Sequence, residues 1–149
     1  MNPIETIKIK QLVPPQIKDN GAFDGNTYVD TSGWNKLRIA FIVGTLDIAV
    51  GSTSADAAPF VEECDTTGGS YTAVTDAALS AVIGAGDDDK NFAIDIDLTK
   101  THKRYMQVNA PTAGDGTNGA NMTIIALLSR PAISPVSAAE QGFEEIISA

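Results

Sequence analysis

The segment NFAIDIDL, residues 91–98, switches character at every step. Phe92, Ile94, Ile96 and Leu98 alternate with Ala93, Asp95 and Asp97. A period of two puts one set on each side of an extended chain, whereas a helix repeats every ~3.6 residues, so this segment reads as a strand with one buried face. The stretch KLRIAFIV repeats the pattern, with Leu37, Ile39, Phe41 and Val43 on one side. Beyond Gly44 the phase slips to Leu46, Ile48 and Val50. A bulge or bend at the glycine accounts for the slip.

Further short strands are expected at Thr27–Asp30, PFVEEC and SYTAV, while TDAALSAVI fits a strand or a helical turn. In RYMQVNA, Met106 and Val108 share one face, and Tyr105 and Gln107 the other. MTIIALLS is apolar on both faces, as in a central strand covered on both sides. Gly-, Asn- and Asp-rich loops separate these runs. Short strands at such spacing predict an all-β fold: a single antiparallel β-sandwich of jelly-roll type. The expected division is an N-terminal arm and turns over 1–33, a sandwich core over 34–131 and a tail or short helix over 132–149. The Pro14-Pro15 pair is expected to end any regular element in the arm.

One domain is what 149 residues accommodate, with enough chain for a core. The formal net charge of −9 repels phosphate backbones and argues against a nucleic-acid ligand. A single cysteine, Cys64, precludes an internal disulfide and fits folding in a reducing cytoplasm. The N-terminal MNPIETIKIK lacks the apolar core of a signal peptide, and no apolar run nears the ~20 residues of a membrane span. No membrane partner is expected.

The run ECDTTGGSYTAV, residues 63–74, poses a choice between a phosphate loop and a turn. Phosphate loops lead from a strand into a helix and usually carry a lysine. Here both flanks are strand-like, no lysine follows, and Glu63 and Asp65 stand close. The run is a hairpin, with Gly68 and Gly69 expected to supply positive φ angles.

The ordered set WNKLRIAFIVGTLD, FVEECDTTGGSYTAV, IDIDLT, KRYMQV and ALLSRP resembles small structural proteins of tailed bacteriophages and prophages. In those chains a sheet strand leads into a D-T-S-G-G-x-Y hairpin, a K-R-Y-x-x-V strand follows, and the core ends near R-P. The resemblance spans about residues 34–131. The GSTSADAA insertion and Cys64, where such chains usually carry serine, depart from the pattern. The resemblance implies a non-enzymatic capsid decoration or cement protein on the virion exterior, made in the host cytoplasm. Its partners would be the major capsid protein and copies of itself. A tail, neck or vertex position, or a carbohydrate- or receptor-binding module, is the alternative.

Catalytic and metal chemistry find little support in the residues. With His102 the only histidine and Cys64 the only cysteine, the usual zinc sets cannot be assembled within one chain. Asp87-Asp88-Asp89 lacks the spacing of a calcium loop and reads as a solvated tip; Asp115 and Asn118 are too few ligands. Asp95 and Asp97 share a face, but ordinary cross-strand pairing with Lys36, Arg38 or Lys100 explains them. Neither G-x-S-x-G nor H-E-x-x-H occurs. No catalytic residue and no cofactor is expected.

Candidate interface residues come from the chain ends and one turn. Ile4, Ile7, Ile9 and Leu12, together with Phe143, Ile146 and Ile147, place apolar surface outside the expected core. Trp34 opens the core as either a packed side chain or an interface anchor. Lys100, Lys103 and Arg104 form a basic cluster suited to an acidic partner surface.

Overall fold

The structure is a computed structural model, and it describes residues 6–23, 27–52, 57–109, 111–113, 116–131 and 138–144. Among these residues eight strands follow in order: β1 (Ile7–Lys18), β2 (Val29–Asp30), β3 (Trp34–Leu46), β4 (Phe60–Cys64), β5 (Thr72–Ala78), β6 (Asn91–Asp97), β7 (Tyr105–Val108) and β8 (Ala120–Pro131). A four-residue helix, α1 (Ala138–Gln141), comes after them.

The strands form two four-stranded antiparallel sheets, in the orders β1-β8-β3-β6 and β2-β7-β4-β5. Pairing is nested: β1 with β8, β2 with β7, β3 with β6 and β4 with β5. A long hairpin folded over on itself generates this order, with β8–β3 and β7–β4 closing each sheet. The chain is an antiparallel β-sandwich with jelly-roll strand order.

The alternation read from the sequence sets the inner faces. Leu37, Ile39, Phe41 and Val43 of β3 meet Met122, Ile124, Ala126 and Leu128 of β8, and Val61, Met106 and Val108 close the core from the second sheet. Each fully buried large apolar side chain contributes about 1.5–3 kcal/mol of transfer free energy, which the entropy of chain ordering opposes. The phase slip at Gly44 is present as a register irregularity between Val43 and Leu46, which returns Leu46 to the core. As expected, β8 is central, with Ile125 and Leu127 half-buried on its outer face.

The N-terminal segment departs from the arm reading. Residues 7–18 are a sheet strand paired along β8, and Pro14-Pro15 do not end it. β1 lies at the sheet edge, where a missing N–H can face away from the ladder. The register shifts at Gln11/Val13 and again at Val13/Gln16, and the first shift turns both Leu12 and Val13 into the core. Leu12 is therefore a core residue and not a free contact.

The ECDTTGGSYTAV hairpin is present as β4–β5, with Glu63 opposite Thr72. Its glycines act differently from the expectation. Positive φ occurs at Gly21, Gly33, Gly116 and Gly142, but at neither Gly68 nor Gly69. Gly69 instead permits close approach, since a Cβ there would lie 2.5 Å from Thr66 Oγ1 and 2.6 Å from Cys64 Sγ. Space, and not backbone handedness, is what the turn demands at that position.

Candidate functional site

The outer faces of the two sheets differ in chemistry. On the first sheet, β3 and β6 present facing ions. Arg38 grips Asp95 with two hydrogen bonds of 2.7 Å, and Lys36 Nζ stands 3.1 Å from Asp97. The cross-strand pairing foreseen for these acids is realised with Arg38 and Lys36. The Arg38 hydrogen bonds lower the Asp95 pKa. Asp97 is held at about 2, chiefly by the Thr99 hydroxyl and then by Lys36. Both acids are partners of neighbouring cations on a solvated face.

All three tyrosines of the chain gather on the second sheet. Val29 and Met106 pair and point inward, so Tyr28, Asp30 and Tyr105 lie on the outer side. The Tyr28 and Tyr105 rings meet edge to face, with centroids 5.3 Å apart. Such pairs add about 0.5–1.5 kcal/mol beyond the area they bury. Tyr71, immediately before β5, completes the cluster. Burial raises its phenol pKa, and neighbouring Cys64, Tyr28 and Tyr105 push in the same direction. Among the described residues, its buried hydroxyl has no hydrogen-bond partner.

Polar groups frame these rings. Arg104 donates two hydrogen bonds to Asp30, at 2.9 and 2.8 Å, and its guanidinium carbon sits 5.1 Å from the Tyr105 ring centroid. The Arg104 hydrogen bond lowers the Asp30 pKa. Thr31 fixes the arginine backbone, its hydroxyl donating to the Arg104 carbonyl at 2.7 Å. Along the same face, Glu62 accepts from Gln107 Nε2 and Asn109 Nδ2 at 3.2 and 2.8 Å.

The turn before β7 is pinned from the other side. Glu63 Oε2 accepts the Lys103 backbone N–H at 3.2 Å and lies 3.0 Å from His102 Nδ1. Lys103 Nζ donates to Thr72 Oγ1 at 3.2 Å. The expected basic cluster is thus divided: Lys103 faces β5, Arg104 serves the tyrosine face, and Lys100 is exposed. His102 is a half-buried brace and not a free loop residue.

The other candidates disperse. Ile7 and Ile9 are half-buried in β1, and Trp34 packs partly against the core at the start of β3. Phe143, past α1, is 38% exposed. Ile4, Ile146 and Ile147 lie outside the described residues. The Asp87-Asp88-Asp89 tip has structural duties. Asp87 accepts from Gly84 N and Lys90 Nζ, and Asp88 accepts the Leu46 N–H at 2.6 Å. Among the described residues, no three His, Cys, Asp or Glu side chains converge as a metal-binding group, and no helix is long and apolar enough to cross a membrane.

Sequence reading placed Tyr105 opposite Met106 but missed the site, because Tyr28, Glu62 and Tyr71 join it only through β2–β7, β4–β7 and β4–β5 pairing. The available signal was the position of each tyrosine at or beside a strand end, off the apolar phase. Comparison with known proteins finds no matching family model and no matching curated sequence.

Proposed function

We propose that the chain is a non-enzymatic structural protein of a bacteriophage virion, a capsid decoration or cement protein whose tyrosine face docks on major capsid protein subunits. The observation that carries this reading is the grouping of Tyr28, Tyr71 and Tyr105 around the Arg104–Asp30 pair on one sheet face. Tyrosine and arginine are the residue types that concentrate binding energy at protein interfaces, because they bury large rigid area and still satisfy polar groups. The ordered motifs from Trp34 to Pro131 support the virion class.

The mechanism is contact area and not chemistry. A bound subunit raises the free energy needed to separate its neighbours, and many copies make a modest contact decisive. The acidic surface suits the exterior, away from packaged DNA.

Copy number tests the reading. Quantitative mass spectrometry of purified virions from the phage or prophage encoding this chain should find it at the level of the major capsid protein, or at a simple fraction of it. About six to a few dozen copies would move it to the neck, tail or vertices. Absence from the particle would overturn the virion role.

One observation favours a second reading. Tyr28 and Tyr105 stand on the same face as a carboxylate, Glu62, and two amides, Gln107 and Asn109, the groups that stack on and hydrogen-bond a sugar ring. Binding on a glycan array that is lost in Tyr28→Ala, with no affinity for capsids, would favour a carbohydrate-binding module.

A further inference from the structure

A sandwich of two open sheets has four edges, and an edge strand with free N–H and C=O groups is a template for another strand. Three of these edges are obstructed. On β1, the Leu12 carbonyl accepts the Thr27 N–H, and Gly142 packs so closely on the Ile9 backbone that no side chain would fit there. β2 is two residues long. β5 is broken by Asp76 at φ 61 and by an irregular register against β4.

β6 meets one of these devices only at its last residue, where the Asp97 carbonyl accepts the Lys100 N–H. It runs seven residues, pairs β3 without a register shift, and among the described residues no other strand pairs with it. The hydrogen-bond phase is fixed at both ends. Leu98 N donates to Asn35 O and Val43 N donates to Lys90 O, so the even-numbered residues bond to β3. Asn91, Ala93 and Asp95 therefore point both their N–H and C=O groups away from the sheet, and Asp97 its N–H.

We propose that β6 pairs with β6 of a second copy, antiparallel about a two-fold axis at Ile94, joining two first sheets into one of eight strands. The pairing is self-complementary. With Ile94 on the axis, Asp97 faces the other copy's Asn91 and Asp95 faces its Ala93. Moving the axis to Asp95 sets that acid against itself, and moving it to Ala93 sets Asp97 against Asp89. Only the Ile94 register overlaps all seven residues while leaving no acid opposite an acid. The acids also carry their own cations, Arg38 and Lys36, so they bring little net charge to the seam. This contact stands apart from the virion reading and involves a different surface.

Sedimentation velocity of the full chain over a concentration series tests it. The wild type should show a monomer–dimer equilibrium. Ala93→Pro removes an outward N–H without touching the β3 ladder, and should weaken the dimer by at least about tenfold with an unchanged far-UV spectrum. Ala93→Lys sets a cation opposite the other copy's Asp95, twice per dimer, and should tighten it by roughly 2-fold to 30-fold. If Ala93→Pro fails to fold, Ala93→Asp serves instead, placing an acid opposite an acid and weakening the dimer. A wild type that stays monomeric to millimolar concentration, or a dimer indifferent to these substitutions, would overturn the proposal.

Discussion

The first sheet is long and the second is short, and the two divide the work of the molecule. Strands β1, β3 and β8 run 12, 13 and 12 residues, whereas the second sheet has strands of 2, 4, 5 and 7. Long strands supply most of the buried alternation, so the first sheet carries stability. Short strands leave more of the second sheet to turns, and turns bring Arg104, Tyr28 and Tyr71 onto a common face. One sheet acts as scaffold and the other presents side chains.

Substitution should separate these roles. The largest effect is expected in the scaffold. Phe41→Ala, at a fully buried site on β3, should cost about 3–5 kcal/mol in urea unfolding. A cost under 1 kcal/mol would show that the first sheet does not dominate stability. Next comes the presenting face. If the chain docks on capsids as proposed, the pair Tyr28→Ala and Tyr105→Ala should weaken that attachment by about 2 kcal/mol or more while the fold persists. Equal loss of stability and of binding would erase the distinction between the sheets.

The hairpin of the second sheet gives a smaller effect. Gly69→Ala must displace Thr66 and Cys64 and should destabilise by about 1–3 kcal/mol, measured by thermal unfolding. Smaller still is Arg38→Gln, which breaks an exposed ion pair. It should barely move the melting midpoint, and that small effect should fade with added salt.

Acid titration offers the finest probe. Asp30, Asp87, Asp95 and Asp97 all have folded pKa values below the ordinary 3.8, Asp97 at about 2. Lowered carboxylate pKa values stabilise the fold above the unfolded value, and that contribution is lost as pH falls from about 4 toward 2. Asp97→Asn should flatten the acid limb of a stability–pH curve. An unchanged limb would show that Lys36 and Thr99 do not hold the ionised form.

Local pattern carried much of the fold. Period-two runs at Leu37–Val43 and Asn91–Asp97 marked two strands and their buried faces, because alternation is a property of the strand itself. The same rule placed Met106 inward and Tyr105 outward. Pro14-Pro15 misled, since proline breaks a strand only where its N–H is needed, and whether β1 lies at an edge is a tertiary fact. Gly68-Gly69 marked a hairpin correctly for a different physical reason, because the crowding by Cys64 and Thr66 arises only once the turn has closed.

The amino-acid sequence by itself determined the all-β class, the strand faces and the cross-strand acids, since these follow from neighbours two residues apart. Tertiary structure alone decided that Leu12 belongs to the core, that three tyrosines far apart in the chain share one face, and that β6 is the least obstructed edge. Those outcomes depend on which strands lie side by side. Strand order comes from the nested folding of the whole hairpin, and no local window of sequence contains it.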